Sequence, residues 1–340
     1  MIPRDVVKKA FQFAECGETP FCLGVLPEHE RMLTEHYGSE AWRSKVKPYI
    51  QRVTACDHLM SLSAPVDVPG GFVRDLFGIV WKIGSIDKII EPPLKEPTLD
   101  RYRFPDVDGY YDRFVVPRWE NELAGTTESF RIGEHVFGLF ERSWSLRGFE
   151  SFLVDLVDNT AFCEELIENV ADWIARSVER LLETPLDAVF FTDDYADQRG
   201  MIFGLERFRK LFKPHWRRLF DIVHRAGVYT VLHVCGNAEP ALQDLIECGL
   251  DCLESLQPEA MDIYGLKKKY GNHLRFWGGL GVQKMSPFGT STAVREEVRR
   301  MKRELGRGGG YILGSAKPFH AAVPIENIVA YVEEASEPRA

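Results

Sequence analysis

Gly227-Val228-Tyr229-Thr230-Val231-Leu232-His233-Val234-Cys235-Gly236-Asn237 is the stretch on which the reading of this chain turns. Residues 228–232 form an apolar, β-branched run after a glycine, which predicts a buried strand. Side chains alternate across a strand, so His233 and Cys235 point the same way where it runs out at a Gly-Asn turn. Taken alone, the pair fits a core cysteine beside a hydrogen-bonded histidine. As N and S donors side by side, it also suits a soft divalent metal such as zinc.

The flanking segments repeat one pattern. An amphipathic helix is predicted over 205–226, with Leu205, Phe208, Leu211, Phe212, Leu219, Phe220 and Val223 near one face and Pro214 starting or kinking part of it. A short helix over 239–248 follows the His233 strand. Further strands are predicted at 187–192, 251–255, 274–277 and 311–313, and further helices at 161–183, 261–270, 292–305 and from Pro324 onward. Residues 130–140 read as a strand or two ending at Glu141-Arg142, and 21–25 as another candidate strand. Repeated βα units with short links imply parallel strands with right-handed crossovers. The expected fold is therefore α/β, a (β/α)₈ TIM barrel. A doubly wound open sheet is the weaker alternative, because no G-x-G-x-x-G follows a first strand. Residues 1–125 are less regular. Val68–Val80 and Ile89–Pro93 suggest a hairpin-bearing insertion on the barrel mouth, and Tyr102–Tyr111 a Pro/Asp-rich connector. The whole chain, 1–340, is expected to form one domain, with the regular repeats in 126–337.

The 340 residues are 45% hydrophobic and carry a net charge of −9, enough apolar content for a large core and the wrong sign for a phosphate-backbone binder. Nucleic-acid partners are not expected. The seven cysteines, at 16, 22, 56, 163, 235, 248 and 252, are odd in number and scattered, which fits a reducing cytoplasm. Cys248 and Cys252 are read as buried thiols and not as metal ligands. Nothing near the start reads as a signal peptide or anchor, and no run is long and apolar enough for a membrane span. A cytoplasmic protein is expected.

In α/β barrels the chemistry lies at the carboxyl ends of the strands. The residues expected there are Glu141 and Arg142, then Asp193 and Asp194 with Gln198 and Arg199, then His233, Cys235 and Asn237. After them come Glu254 and Gln257, Gly278-Gly279 with Gln283, and finally Ser315, Lys317 and His320. Strand alternation sends Asp193 and Asp194 to different sides, so one is expected to face the cavity and one to cap a turn. Arg142 and Arg199 read equally as ion pairs and as anion-binding groups. Neither a G-x-S-x-G elbow nor a Walker-type loop is present.

With these residues in hand, the chain resembles the uroporphyrinogen decarboxylase superfamily, most clearly from Phe130 to Glu334. The match rests on Phe191-Thr192-Asp193-Asp194 with Gln198-Arg199-Gly200, Lys213-Pro214, His233-Val234-Cys235-Gly236 and Gln257-Pro258-Glu259. It continues through Trp277-Gly278-Gly279 and Gly309-Gly310-Tyr311-Ile312-Leu313 to Pro324-x-Glu326-Asn327. True uroporphyrinogen decarboxylases carry an N-terminal Arg-Gln-Ala-Gly-Arg-type stretch whose arginines bind the substrate's acidic side chains. Here that region reads Val25-Leu26-Pro27-Glu28-His29-Glu30-Arg31, which is acidic and lacks the motif. The chain looks closer to the zinc-dependent corrinoid methyltransferases, in which a His-x-Cys pair and a later Cys hold zinc. His233 and Cys235 match the pair, whereas Lys317 stands near the later Cys.

The resemblance implies methyl transfer between a small methylated substrate or thiol and a corrinoid protein, assisted by zinc. His233 and Cys235 would be ligands, completed by His320, Glu254, Asp193 or Asp194. Asp193, Asp194, Arg199 and Glu254 are the expected catalytic set; Glu141, Arg142, Asn237, Gln257 and Lys317 are the expected substrate-binding set. The alternatives are a uroporphyrinogen decarboxylase-type carboxy-lyase and a non-catalytic barrel that binds a small molecule or corrinoid. A homodimer is a further expectation.

Overall fold

The computed structural model describes residues 1–56, 67–68, 71–82 and 88–338. Its strands run β1 (Ile50–Cys56), β2 (Asp67–Val68), β3 (Phe72–Arg74), β4 (Val80–Lys82), β5 (Lys88–Glu91), β6 (Phe130–His135) and β7 (Ala188–Thr192). They continue as β8 (Ala196–Asp197), β9 (Gly200–Met201), β10 (Tyr229–His233), β11 (Cys252–Leu256), β12 (Arg275–Leu280) and β13 (Tyr311–Ser315). Seven of them form one parallel sheet in the order β1-β6-β7-β10-β11-β12-β13. Strands β2–β5 make a four-stranded antiparallel sheet in the region read as hairpins, and β8–β9 form a small hairpin after β7.

Alternation along β7 explains how the sheet is covered on both faces. Phe191 points outward onto Trp216 and Phe220 of the helix Lys213–Arg225, with ring centroids 5.6 and 5.9 Å away. Phe190 points inward, 6.0 Å from the ring of Trp277 on β12. Burying a phenylalanine this fully stabilises the fold by about 1.5–3 kcal/mol, so the two faces together fix the register of the strand. Inside the sheet, the Arg52 guanidinium of β1 lies 4.7 Å from the Trp277 ring of β12. Strands near opposite ends of the sheet order therefore meet across its interior, and the sheet is curled.

The helices largely follow the predicted periodicity, with Thr160–Leu181, Glu239–Cys248, Ile263–Tyr270, Ser291–Glu304 and Ile325–Ser336 each close to its expected span. The segment read as one helix over 205–226 is three pieces: Leu205–Arg207, a π-helical turn Phe208–Phe212, and Lys213–Arg225 opened by Pro214. A proline has no N–H for the preceding turn, and a wide π turn accommodates it.

Two strand expectations need correction. The 21–25 segment contributes only a single parallel bridge, Phe21 to Leu313. The strand read over 130–140 stops at His135. Phe137 then adopts φ 65°, and a helix begins at Leu139 and runs to Arg147. Phe137, Leu139 and Phe140 are all buried, so an apolar run continues across the break and hides it from a reading based on hydrophobicity. No helix among the described residues is long and apolar enough to cross a membrane.

Candidate functional site

His233 closes β10 and lies in register with Glu254 on the neighbouring parallel strand β11. The Glu254 Oε2 atom contacts His233 Nδ1, and this bond turns the ring so that Nε2 faces outward. There Nε2 lies 3.1 Å from Cys235 Sγ and 3.8 Å from Asp194 Oδ1. Asp194 Oδ1 also accepts the Cys235 backbone N–H at 2.8 Å, which ties the thiol loop to the end of β7. One donor atom from each of Asp194, His233 and Cys235 falls within 4.8 Å of the others. A carboxylate behind a histidine is the usual support for an imidazole metal ligand, because it fixes both tautomer and ring orientation. Burial alone would push the His233 imidazole pKa down, but the charge of Glu254 and the neighbouring Cys235 carry it well above the ordinary histidine value.

Backbone features hold the loop in place. Gly236 has φ 83°, and a Cβ there would lie 2.5 Å from the Asp197 carbonyl, so only glycine lets the loop close over the β8–β9 hairpin. Its N–H donates to Gln257 Oε1 at 3.1 Å. Asn237 donates its N–H to the Asp197 carbonyl and accepts the Glu239 N–H, opening the helix Glu239–Cys248. Gln257 and Asn237, expected to bind substrate, thus serve the shape of the loop. On β11, buried Ser255 sits at φ 67° where the register with β12 slips, and its hydroxyl donates to the Ala316 carbonyl at 2.7 Å. This strained residue links the strand that carries Glu254 to the loop that carries Lys317.

The aspartate pair divides as alternation requires. Asp193 is fully buried and accepts the N–H groups of Phe140 and Glu141, at 3.1 and 2.8 Å, at the start of the helix Leu139–Arg147. Both its carboxylate oxygens are thus taken up in capping a helix, where a catalytic role was expected. Burial, with Glu141 adding like charge, pushes its carboxyl well above the usual aspartate range. Asp194 is the member that meets His233 and Cys235. The Asp193 cap in turn positions Glu141, whose Oε2 accepts the Thr192 hydroxyl at 3.2 Å. Burial and the charge of Asp194 push the Glu141 carboxyl up to about 7, a poise at which it holds or releases a proton near neutrality.

These groups adjoin a cavity of about 350 Å³ at the carboxyl ends of the strands, walled by His233, Glu254, Thr192, Phe190, Trp277 and the 314–318 loop. Burial lowers the Lys317 ammonium pKa, but the charges of Cys235 and Asp194 and a hydrogen bond to Cys235 more than reverse this. Lys317 is therefore a cation beside the thiol. A larger concavity of about 990 Å³, lined by Lys267, Lys268, Arg303 and Arg307 with Glu15 and Glu304, lies at the other end of the strands, away from Asp194, His233 and Cys235. We take the smaller cavity as the site because the perturbed groups converge there.

The cavity includes residues that the sequence reading missed, namely Arg52 and Glu134 on the interior of β1 and β6 and Cys22 before the first strand. Alternation from buried Val53 and Ala55 would place Arg52 and Thr54 inward, once β1 is recognised as a strand. Cys22 carries no comparable signal. Burial pushes its thiol up to about 12, so it lines the wall as a neutral group.

Three expected site residues lie elsewhere. Arg142 follows the strand break onto the helix and is 1% exposed, its guanidinium 3.9 Å from the Phe77 ring and 4.0 Å from Asp75. Arg199 is on the tip of the β8–β9 hairpin with 92% of its side chain exposed, beside Asp197. His320 engages both ring nitrogens with backbone, the Val282 carbonyl at 3.0 Å and the Ala322 N–H at 3.3 Å, and is absent from the donor cluster. Cys248 and Cys252 are buried free thiols, as expected.

Comparison with known proteins narrows the assignment. The family model described as uroporphyrinogen decarboxylase (URO-D) matches residues 142–338. A methylated-thiol–coenzyme M methyltransferase of Methanosarcina mazei is 27% identical over 149 residues, 44% of this chain and 37% of that protein. The methylcobamide:CoM methyltransferase MtaA of Methanosarcina barkeri is 23% identical over 188 residues, 55% of this chain and 52% of that protein. The chain thus spans about half or less of the length of these relatives. A solved methyltransferase from Methanosarcina mazei shares the fold, with a TM-score of 0.70 at 17% identity over 98% of each chain. The family model covers more than half of the sequence, and the chain belongs to the uroporphyrinogen decarboxylase (URO-D) family.

Proposed function

We propose that this protein is a methyltransferase that moves a methyl group between a small methylated substrate or thiol and a corrinoid carried by a partner protein. The observation that carries this reading is the Asp194–His233–Cys235 donor cluster with Glu254 behind the imidazole. The methyltransferase names of the similar Methanosarcina proteins support it. An O/N/S donor set with one position open suits zinc. Bound there, zinc would supply a Lewis acid that keeps a thiol deprotonated or polarises a methyl donor.

The chain's own groups have separate tasks in this scheme. Glu254 holds His233 with Nε2 toward the donors. Lys317 sets a cation beside the Cys235 sulfur and Asp194. Glu141, poised near neutrality, holds a proton at its carboxyl beside Asp194. Phe190 and Trp277 supply the apolar walls that keep water from the reacting atoms.

A carboxy-lyase acting on a tetrapyrrole fits less well. The cavity, about 350 Å³, is at the small end for ligand pockets. Its described cationic side chains, His233 aside, are Arg52 and Lys317, too few for a molecule with many carboxylates. The test is zinc content of the purified protein together with methyl transfer from methylcobalamin to a small thiol, in wild type and in His233→Ala. Zinc bound by the wild type, with metal and transfer both lost in the variant, supports the proposal. A zinc-free protein whose variant turns over normally overturns it.

A further inference from the structure

The geometry points to Arg52 as the anchor for a carboxylate on the small molecule that enters the cavity. Arg52 lies on the inward face of β1, on the cavity wall, with 39% of its side chain exposed. Its Cζ sits 4.8 Å from the Phe190 ring and 4.7 Å from the Trp277 ring, so two aromatic faces fix the guanidinium plane. Nη1 donates to Glu134 Oε1 at 2.7 Å, and Glu134 Oε2 is itself occupied by the Thr54 hydroxyl at 2.7 Å. Among the described residues no acceptor meets the other edge, Nε and Nη2, and the side chain is partly exposed on the cavity wall.

A guanidinium with one edge fixed and the other open matches the two oxygens of a carboxylate in a planar, bidentate contact. The acids nearby are committed elsewhere, Glu134 to Arg52 and Thr54 and Glu254 to His233. Lys317, on the same cavity, adds a second cation. An ion pair that served only to neutralise Glu134 would not require two aromatic faces and an open donor edge. The inference extends the proposed function, since it takes this cavity as the substrate pocket and names the head group that the pocket selects.

The experiment compares 3-mercaptopropionate with 3-mercaptopropionamide, which share a thiol and differ in charge, by calorimetric titration of wild type, Arg52→Gln and Arg52→Lys. The wild type is expected to prefer the acid by about tenfold or more, the scale of a charge-assisted bidentate contact. Arg52→Gln should abolish that preference while leaving amide affinity and Tm unchanged, and Arg52→Lys should restore part of it. Equal binding of acid and amide by the wild type overturns the inference. So does a preference that survives in Arg52→Gln, which would assign it to Lys317. Methyl transfer to the same two thiols separates the claims: an Arg52-dependent binding preference without methylation of either thiol sinks the methyltransferase reading and leaves the anchor standing.

Discussion

Glu254→Gln isolates the support of His233 from its shape. Glu254 is 8% exposed and meets His233 Nδ1 across two paired strands, so glutamine fits the same space. What changes is the charge. A hydrogen bond to an ionised partner stabilises by about 1.5–3 kcal/mol and a neutral one by about 0.5–1.5 kcal/mol, a difference of roughly 1–2 kcal/mol. The amide can also present its NH₂ to Nδ1, which favours the tautomer with the proton on Nε2 and removes the lone pair that faces Cys235 and Asp194. Zinc affinity should therefore fall about 5- to 30-fold, overlapping the lower part of the roughly 10- to 100-fold range for altered supporting groups of metal ligands. The assay is chelator competition at fixed pH. Glu239→Gln, a partly exposed carboxylate whose ion-pair partner among the described residues is Lys269 at 3.4 Å, is the control. Unchanged zinc affinity in Glu254→Gln would show that the imidazole is not held for a metal.

Asp193→Ala removes a buried cap from two backbone N–H groups and should lower stability by about 1–3 kcal/mol, read as a drop in Tm. Asp194→Asn should leave Tm close to wild type and weaken zinc binding, because its side chain joins the donor cluster; equal effects of the two substitutions would contradict their division of labour. Arg199→Ala should change methyl transfer by less than about twofold, since the side chain is exposed on a hairpin; a large loss would return Arg199 to the site. His135 is fully buried, neither ring nitrogen has a hydrogen-bond partner among the described residues, and burial, helped by nearby Arg142, lowers its pKa from 6.5 to about 3. The unfolded chain therefore takes up a proton below pH 6.5 that the folded chain refuses, so this contribution is intact above 6.5 and shrinks as pH falls toward 3. Wild type should lose about 2 kcal/mol more than His135→Phe between pH 7 and pH 5 in urea unfolding, and parallel losses would mean that the folded imidazole takes up the proton.

Much of the fold was legible because buried parallel strands alternate with amphipathic helices from Ala188 onward. The strand ends also pointed to Asp194, His233, Cys235 and Glu254, which the fold brings together: Asp194 and Cys235 follow directly on β7 and β10, and His233 and Glu254 share a register on neighbouring strands. The failures have physical causes. Strand β1 went unread because its inward positions carry polar Arg52, which lines the cavity, and Thr54, which bonds Glu134, where an apolar alternation was sought. The break at Phe137-Gly138 lies in a run that is buried on either side, so hydrophobicity could not reveal the turn that carries Arg142 away and leaves Glu141 facing Asp194. His320 and Arg199 were placed by proximity in sequence to strand ends. Loops there spread over several directions, and one residue hydrogen-bonds backbone while the other meets solvent.

Zinc K-edge X-ray absorption on protein loaded with one equivalent of zinc reads the donor set itself. The expected first shell is one sulfur at about 2.3 Å with nitrogen and oxygen at about 2.0–2.2 Å. The sulfur should vanish in Cys235→Ser, and the shell should be unchanged in His320→Ala. A shell without sulfur, or one that keeps its sulfur in Cys235→Ser, would contradict the assignment of Asp194, His233 and Cys235 as the metal-binding centre.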